Sequence, residues 1–314
     1  MIIRLNFSDM FDRYIIQYNL ANMEKDKIIL LEYRGLISIT GKDSKSFLQN
    51  IITNDVEKIS SSNTIFSALL TPQGKYLFEF FLIASKDGYL LDCDENNTRE
   101  IIKYLTKYKL RSDVELKDIS SEHIIGIMSL EKFNELQKIE NMPSNTIVYR
   151  NTPIFIDPRN EKLGARILSR LEKLHLTMKK LNLKIIKPSA YNELGHSLGI
   201  PTRGSENLKE KLFGLEANFE ELNAIDFKKG CYIGQENTAR MKLKSKLRRK
   251  LLPIICKQNL KVGDEIKYKD FIIGKVLINK PLPFALIKLF DPNISELKNK
   301  SLHVGNNVVK IGAI

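Results

Sequence analysis

The pattern of apolar and polar residues from residue 28 onward predicts strands and helices in alternation. Period-two and continuous apolar runs predict strands, and apolar positions three and four apart predict helices. Strands are predicted in the segments IILLEYRGLISIT, NTIFSALLT, KYLFEFFLIAS, YLLDCD and DVELKDIS, and helices in DSKSFLQNIITNDV and TREIIKYLTKYKL. The turns TPQG (71–74) and KDG (86–88) make three of the strands an antiparallel meander. Residues 28–120 are therefore predicted to form one α+β unit.

A second α+β unit of similar size is predicted over residues 121–250, with its clearest helix in SRLEKLHLTMKKL (169–181). Glycine and proline crowd residues 186–240, which predicts a loop-rich region that lines a cleft. Short segments between turns from residue 251 to the end predict a small C-terminal β-barrel. Residues 1–27 are predicted to be an extension outside the fold, with Met1 or Met23 as the start.

Composition and charge narrow the class of protein. The 314 residues carry a formal net charge of +13, which favours an anionic partner such as a phosphate backbone, an anionic lipid surface or a polycarboxylate ligand. Basic residues spread over solvated faces are the alternative. No apolar run approaches the length of a membrane span, so no membrane segment is predicted. The cysteines are three in number and far apart, which fits neither a disulfide framework nor a metal site, and predicts a reducing compartment.

One of these cysteines lies in the segment KKGCYIGQENTAR, Lys228 to Arg240. The neighbouring Gly230 lets the backbone approach a ligand closely, and the ammonium of Lys228 or Lys229 favours the thiolate form of Cys231. A thiolate in a cleft acts as a nucleophile, a redox sensor or a soft metal ligand. A half-buried structural cysteine in a tight turn is the alternative. One thiolate does not hold an iron–sulfur cluster alone, so no resident metal is predicted.

Six segments carry a family resemblance. They are GKDSKSFLQNIITNDV (41–56), LLTPQGKYLFEFFL (69–82), YKLRSDVEL (108–116), LGIP (198–201), GLEANFEELNAIDFKKGCYIGQENTAR (214–240) and the basic segment after it. In this order they resemble the YgfZ-type folate-binding proteins, relatives of the glycine-cleavage T protein. The resemblance implies interlocked α+β (ferredoxin-like) domains around a central cleft, a C-terminal barrel, and tetrahydrofolate or a polyglutamylated derivative in the cleft.

The resemblance also implies a function. Members of this family serve the maturation or repair of 4Fe–4S proteins, together with iron–sulfur carrier and client proteins, and so support tRNA thiolation enzymes indirectly. The implied location is the cytoplasm in a bacterium and the mitochondrial matrix in a eukaryote.

Chemistry suggests which side chains would hold a folate. A pterin presents an N–H and an amino group side by side, which a carboxylate such as Asp55 or Glu216 accepts, with amide partners. Asp55 as a turn cap, Glu216 as a helix cap and Arg111 paired with Asp113 are the structural alternatives. The predicted binding residues are Asn54, Asp55, Arg111, Glu216, Gly230, Tyr232, Gly234, Gln235, Glu236 and Arg240, and the predicted catalytic pair is Cys231 with Lys229.

The segment MKLKSKLRRKL (241–251) alternates apolar and basic residues, which predicts a strand with one basic face, begun by Arg240. Lys242, Lys244 and Lys246 on that face would attract the glutamates of a polyglutamylated folate, an acidic partner or RNA. A solvated edge strand that discourages aggregation is the alternative.

Two departures from the T protein bear on activity. Aminomethyltransferases of that type have adjacent aspartates where this chain has Phe78 and Glu79, and an Arg-x-Glu pattern where it has Gly195, His196 and Ser197. Glycine-cleavage activity is therefore not predicted. A folate-dependent one-carbon transferase is the second hypothesis. An RNA-binding protein ranks last, since no aromatic stacking motif is present, and we expect no direct nucleic-acid binding.

Overall fold

The computed structural model describes residues 24–137, 145–244, 247–297 and 300–312. Its strands are β1 (Lys27–Leu31), β2 (Arg34–Thr40), β3 (Ile65–Leu70), β4 (Tyr76–Ser85), β5 (Gly88–Asp94), β6 (Glu115–Asp118), β7 (His123–Met128), β8 (Thr146–Tyr149), β9 (Thr152–Ile156), β10 (Ala165–Arg170), β11 (Lys184–Ile186), β12 (Arg249–Cys256), β13 (Glu265–Tyr268), β14 (Phe271–Ile278), β15 (Phe284–Lys288), β16 (Leu302–Val304) and β17 (Asn307–Ile311). Its α-helices span Ser44–Gln49, Thr98–Lys109, Leu130–Gln137, Leu171–Leu181, Ser189–Ser197, Gln235–Leu243 and Ile294–Leu297.

The strands form two open sheets and one barrel, which confirms the predicted α+β fold class. The five-stranded sheet has the order β3-β4-β5-β2-β6, and the six-stranded sheet has the order β11-β1-β7-β10-β9-β8. The barrel closes in the order β12-β15-β14-β13-β16-β17. Apolar side chains of both open sheets, such as Phe81 and Ile83 from one and Ile127 and Leu168 from the other, pack into one shared core. The space between the open sheets is therefore where both contribute side chains.

The predicted strand IILLEYRGLISIT is two strands, and the prediction of a single element was wrong. A turn at Glu32 and Tyr33 divides it. β1 pairs with β7 and β11 in the six-stranded sheet, whereas β2 pairs with β5 and β6 in the five-stranded sheet. Both halves are apolar, so the sequence pattern does not mark the crossing. The chain thus interlocks the two units here, and the predicted domain boundaries at 28, 121 and 251 stay predictions.

Two helix and strand predictions need correction. The helix predicted over DSKSFLQNIITNDV ends at Gln49, because the Thr53 hydroxyl and the Asn54 amide bond to groups outside any helix. The strand predicted from residue 241 is also wrong in its first half: Gln235–Leu243 is a helix, and β12 begins only at Arg249. Arg240 therefore lies on a helix, and Lys246 falls outside the described residues, as does the predicted extension up to residue 23.

Candidate functional site

Side chains from both open sheets line a small cavity between them. Its volume is about 10 Å³, room for one water molecule. The lining residues are Leu31, Tyr33, Arg34, Glu79, Asp94, Asn97, Arg159, Arg166, Tyr191, Thr202 and Ser205. None of the predicted site residues is among them. We name this space the Glu79 cavity.

Two buried aspartates fix the arginines of the cavity. Asp92 accepts hydrogen bonds from Arg34 Nε at 2.6 Å and from Arg166 Nη2 at 2.7 Å. Asp157 accepts two bonds from Arg159, at 3.0 and 2.8 Å. Burial raises the pKa of Asp92, but the two guanidinium groups outweigh that effect and hold the pKa below its usual value. These carboxylates are committed to structure, which leaves other groups to meet a ligand.

The same three guanidinium groups surround one aromatic ring. The central carbons of Arg166, Arg159 and Arg34 lie 4.3, 4.8 and 5.9 Å from the centroid of the Phe81 ring. Such contacts combine cation–π attraction with packing. Because each arginine is held by a carboxylate or a ring, or by both, the cavity presents positive charge in fixed positions.

Glu79 is the cavity carboxyl with a strongly raised pKa. Burial raises the pKa of Glu79 to about 7, although Arg159 and Arg34 act in the opposite direction. Strand alternation explains its direction, because Glu79 lies two residues before Phe81, which faces the core shared by the two open sheets, whereas Phe78 and Phe80 face the other side of β4. Phe78 consequently packs into a different core, away from the cavity. Position 78 does not face the Glu79 cavity, so the phenylalanine there removes no carboxyl group from it.

Cys231 lies elsewhere, exposed at the edge of an open groove of about 630 Å³. The groove is lined by Pro72, Cys231, Tyr232, Gly234, Gln235, Glu236, Ala239, Arg240, Leu243 and Lys244. The structure thus brings six of the predicted site residues together around one opening. We name it the Cys231 groove. Its shallow form suits contact with a protein surface more than enclosure of a small molecule.

Two glycines anchor the helix that borders the Cys231 groove. Gly234 has a φ of +83° at the helix N-terminus, and a Cβ there would meet the Thr71 carbonyl oxygen at 2.4 Å. Gly74 of the TPQG turn faces it, with a φ of +81°. The two turns therefore interlock only because neither has a side chain. A Cβ on Gly230, by contrast, would meet nothing within 4 Å.

Lys229 has a structural role that the sequence did not predict. Its ammonium donates to the backbone carbonyls of Gln49, Ile52 and Asn54, at 2.7, 2.7 and 3.0 Å. An ammonium has three N–H donors, so all of them are used. Burial lowers the pKa of Lys229 to about 8. The predicted influence of Lys229 on the Cys231 thiol stays a prediction.

The predicted pterin partners Asn54 and Asp55 also make structural bonds. The Asn54 amide donates to Phe66 O and Asn223 O, each at 2.8 Å. Asp55 caps the short 3-10 helix Val56–Lys58 by accepting from the Glu57 N–H. The turn-cap alternative thus describes the geometry of Asp55, and the ligand roles of both residues stay predictions.

Glu216 and Arg111 are separate from both sites. The Glu216 carboxylate accepts the Phe213 N–H and two bonds from Arg249, at 2.9 and 3.2 Å. It therefore caps a turn and ties it to the first strand of the barrel. Arg111 is exposed after the helix Thr98–Lys109, and Asp113 lies 3.8 Å from Lys42 instead of pairing with Arg111.

Part of the predicted basic surface is neutralised. Lys242 forms an ion pair with Glu220, and Lys250 forms one with Glu221. The predicted strand geometry would have put all the lysines on one face, whereas the helix turns them in different directions. The basic stripe as predicted is therefore incorrect.

The cavity arginines were missed by reasoning from sequence. The available signal was a charged residue at an inward position of an apolar strand, such as Arg166 in ARILS or Asp92 in LLDCD. Such residues are buried only when they are paired. Within the described residues, no group of three or more His, Cys, Asp or Glu side chains could hold a metal ion, and no helix is long and apolar enough to cross a membrane.

Comparison of the whole fold identifies its class. The structure matches the aminomethyltransferase T of the glycine cleavage system from Bartonella henselae with a TM-score of 0.72, 96% of this chain, 88% of that chain and 11% identity. At this identity the match defines the fold: a glycine-cleavage T-protein fold with its C-terminal barrel. No family model matches the chain.

Comparison of sequences finds relatives that match most of the chain. The chain is 29% identical over 263 residues to "tRNA-modifying protein YgfZ" of Buchnera aphidicola, covering 81% of this chain and 82% of the relative. It is also 29% identical over 244 residues to "Iron-sulfur cluster assembly factor IBA57 homolog, mitochondrial" of Pyricularia oryzae, covering 76% of this chain. The chain spans 60% of that relative's length and 52% of the Neurospora crassa one. Together with the T-protein fold, these matches relate the chain to the YgfZ-type proteins.

Proposed function

We propose that this protein is a tetrahydrofolate-binding accessory factor for the maturation or repair of 4Fe–4S proteins. The iron–sulfur part is supported by the similarity to iron–sulfur cluster assembly factors, and the folate part by the T-protein fold. The observation that carries the folate part is the Glu79 cavity, where the Glu79 carboxyl lies among fixed arginines. The proposed place of action is the bacterial cytoplasm or the mitochondrial matrix.

The side chains of the cavity fit the polar edge of a pterin. The Glu79 carboxylate would accept the adjacent N–H and amino groups, which is a two-point arrangement that fixes the ring plane. The guanidinium groups of Arg34 and Arg159 would donate to a carbonyl oxygen or to the carboxylates of the tail. Glu79 therefore replaces Asp55 and Glu216 as the proposed pterin acceptor.

The cavity must widen to admit the ligand, because its volume of about 10 Å³ holds only a water molecule. The segment that carries Thr202, Arg203 and Ser205 covers one side. Besides the hydrogen bonds of Thr202 to Asn192 and of the Arg203 N–H to His196, Arg203 lies 3.4 Å from Asp94 and 4.1 Å from the Tyr33 ring centroid. We infer that ligand entry displaces this segment and breaks the Arg203–Asp94 contact.

Cys231 would act at a separate opening. An exposed thiol at the edge of a shallow groove is accessible to the cluster of a carrier or client protein, which is too large to enter the Glu79 cavity. The thiolate would serve as a soft ligand during that contact, with the cluster as cargo and not as a resident group.

A folate-dependent one-carbon transfer is the second candidate. The specific observation in its favour is Glu79, a partly buried carboxyl whose pKa of about 7 would let it exchange a proton with a bound folate at neutral pH.

Calorimetric titration of tetrahydrofolate tests the proposed site and decides between two carboxylates. We expect Glu79→Gln to weaken binding by at least about tenfold, the loss typical of a hydrogen bond to a charged group. Asp55→Asn, the matched control, should leave the affinity within about twofold. Loss of binding in the control together with normal binding by Glu79→Gln would contradict the assignment.

A further inference from the structure

Two open grooves meet at the surface of the barrel. The first has a volume of about 880 Å³ and runs between the helix Gln235–Leu243 and the barrel, and the second, of about 620 Å³, follows β14 and β15. Arg249 and Lys288 line both of them. We name the joint surface the barrel groove. It is distinct from the Glu79 cavity and from the Cys231 groove, with which it shares no lining residue.

Apolar side chains are exposed at both ends of the barrel groove. Phe290, in the first part, is 55% exposed, and Ile272 and Val262, in the second part, are 43% and 41% exposed. Exposed apolar side chains that share one concave surface are characteristic of interaction sites. The two shared cations lie between these ends. The groove therefore offers an apolar, then cationic, then apolar series of contacts.

Positive charge in the barrel groove exceeds negative charge. The cations are Lys75, Lys211, Arg248, Arg249, Lys275 and Lys288, and the carboxylates are Glu210, Glu216, Glu265 and Asp291. Glu216 is already occupied by Arg249 Nε and Nη2, so Nη1 of that arginine stays outside the pair. Lys288 donates one N–H to Ile272 O at 2.9 Å, which leaves two further donors. The middle of the groove thus has donors available for carboxylates.

We propose that the barrel groove binds an extended segment of a partner protein in which acidic residues are flanked by apolar residues. The combined volume of the two parts exceeds what one small ligand fills, since small-molecule pockets are typically about 300–1,000 Å³. The groove carboxylates interrupt its cations, so a uniformly charged phosphate backbone matches the groove less well than a peptide whose carboxylates are confined to its middle and whose ends are apolar. This docking surface requires neither folate nor the Cys231 thiol.

Fluorescence polarisation with three labelled probes tests the proposal on the full chain. The first is a short peptide with a phenylalanine near each end and glutamates between, the second has lysines in place of the glutamates, and the third is a single-stranded RNA of matched length. We expect the acidic peptide to bind at least about tenfold more tightly than the other two. Equal binding of both peptides, or preference for the RNA, would overturn the proposal.

Paired variants locate the binding. Arg248→Glu and Phe290→Ser should each weaken the acidic peptide by at least about fivefold. Lys267→Glu and Phe271→Ser are the matched controls, since both residues are exposed on the barrel and neither lines the groove. Arg248→Glu should in addition gain affinity for the lysine peptide, a result that misfolding cannot produce. Wild-type affinity in both groove variants, or equal losses in the controls, would overturn the assignment.

Discussion

The side-chain ammonium of Lys229 lies 3.0 Å from the backbone carbonyl oxygen of Asn54. This hydrogen bond joins two segments that carried the family resemblance, and it spans 175 residues of the chain. The same ammonium also binds the carbonyls of Gln49 and Ile52. The Lys229 side chain therefore fixes the loop that presents Cys231 to the end of the helix Ser44–Gln49, beside a backbone hydrogen bond from the Ile233 N–H to the Asn50 carbonyl.

Replacement of that lysine should cost stability and loosen the loop. In Lys229→Ala, three buried carbonyls lose their shared donor, and we expect a loss on the order of 1–3 kcal/mol in the free energy of unfolding. Lys228→Ala is the control, because its side chain is exposed. Urea denaturation of both variants checks this, and equal midpoints for Lys229→Ala and the wild type would refute the capping role.

The buried Asp92 should be far more sensitive than a surface aspartate. Asp92→Asn would leave Arg34 and Arg166 without their carboxylate, and we expect a loss of roughly 3–5 kcal/mol. Asp113→Asn removes an exposed partner 3.8 Å from Lys42 and should cost less than about 1 kcal/mol. Thermal unfolding distinguishes the two. Similar melting temperatures in both variants would show that the arginine cluster does not depend on Asp92.

The raised pKa of Glu79 predicts the direction in which the stability of the protein changes with pH. Because burial raises this pKa from 4.5 to about 7, the folded state holds the proton more tightly than the unfolded state, and the contribution of Glu79 to stability falls as pH rises through that window. Glu79→Gln removes the effect, so its stability relative to the wild type should rise by on the order of 1–3 kcal/mol between pH 4.5 and pH 7.

The difference in stability between Glu79→Gln and the wild type is free of the contributions of other titrating groups, because these are the same in both proteins. His196, whose pKa burial lowers to about 4, contributes a slope of opposite sign, but it is present in both proteins. Urea denaturation at several pH values provides the comparison. A constant difference between Glu79→Gln and the wild type from acid to neutral pH would mean that Glu79 titrates normally.

The two glycines beside Cys231 should behave differently. Gly234→Ala forces a Cβ to within 2.4 Å of the Thr71 carbonyl oxygen at a φ of +83°, so we expect a clear loss of stability, about 1–3 kcal/mol. Gly230→Ala meets no neighbour and should unfold like the wild type. If Gly230→Ala nevertheless loses function in cells, the backbone at that position approaches a partner closely. Normal stability in Gly234→Ala would contradict the interlocked turns.

Much of the fold was predictable because its elements are locally encoded. The helices at Thr98–Lys109 and Leu171–Leu181 follow their apolar periodicity, and the meander of β3, β4 and β5 follows its turns. The division of Ile28–Thr40 between two sheets was not predicted, since a short polar interruption at Glu32–Arg34 is also compatible with one continuous strand. The helix after Gly234 was missed because an alternating run of lysines and apolar residues also satisfies the strand pattern.

The candidate site was predictable only in part. Cys231, Gln235 and Arg240 are close in sequence, so their shared groove follows from the motif. The Glu79 cavity joins β1, β2, β4 and β10 with residues near 159 and 202, and its geometry depends on long-range strand pairing that one sequence does not reveal. Asp55 and Glu216 satisfied the chemistry of a pterin acceptor, but backbone caps and Arg249 occupy them.

The activity of 4Fe–4S client enzymes in a deletion strain that carries Cys231→Ser tests the central claim most directly. A serine hydroxyl is neither ionised at neutral pH nor a soft ligand, so the account predicts that client activity stays as low as in the deletion strain. The purified variant should keep wild-type stability and tetrahydrofolate affinity, because Cys231 lies outside the Glu79 cavity. Full restoration of client activity by Cys231→Ser would contradict the account and leave the thiol without a chemical role.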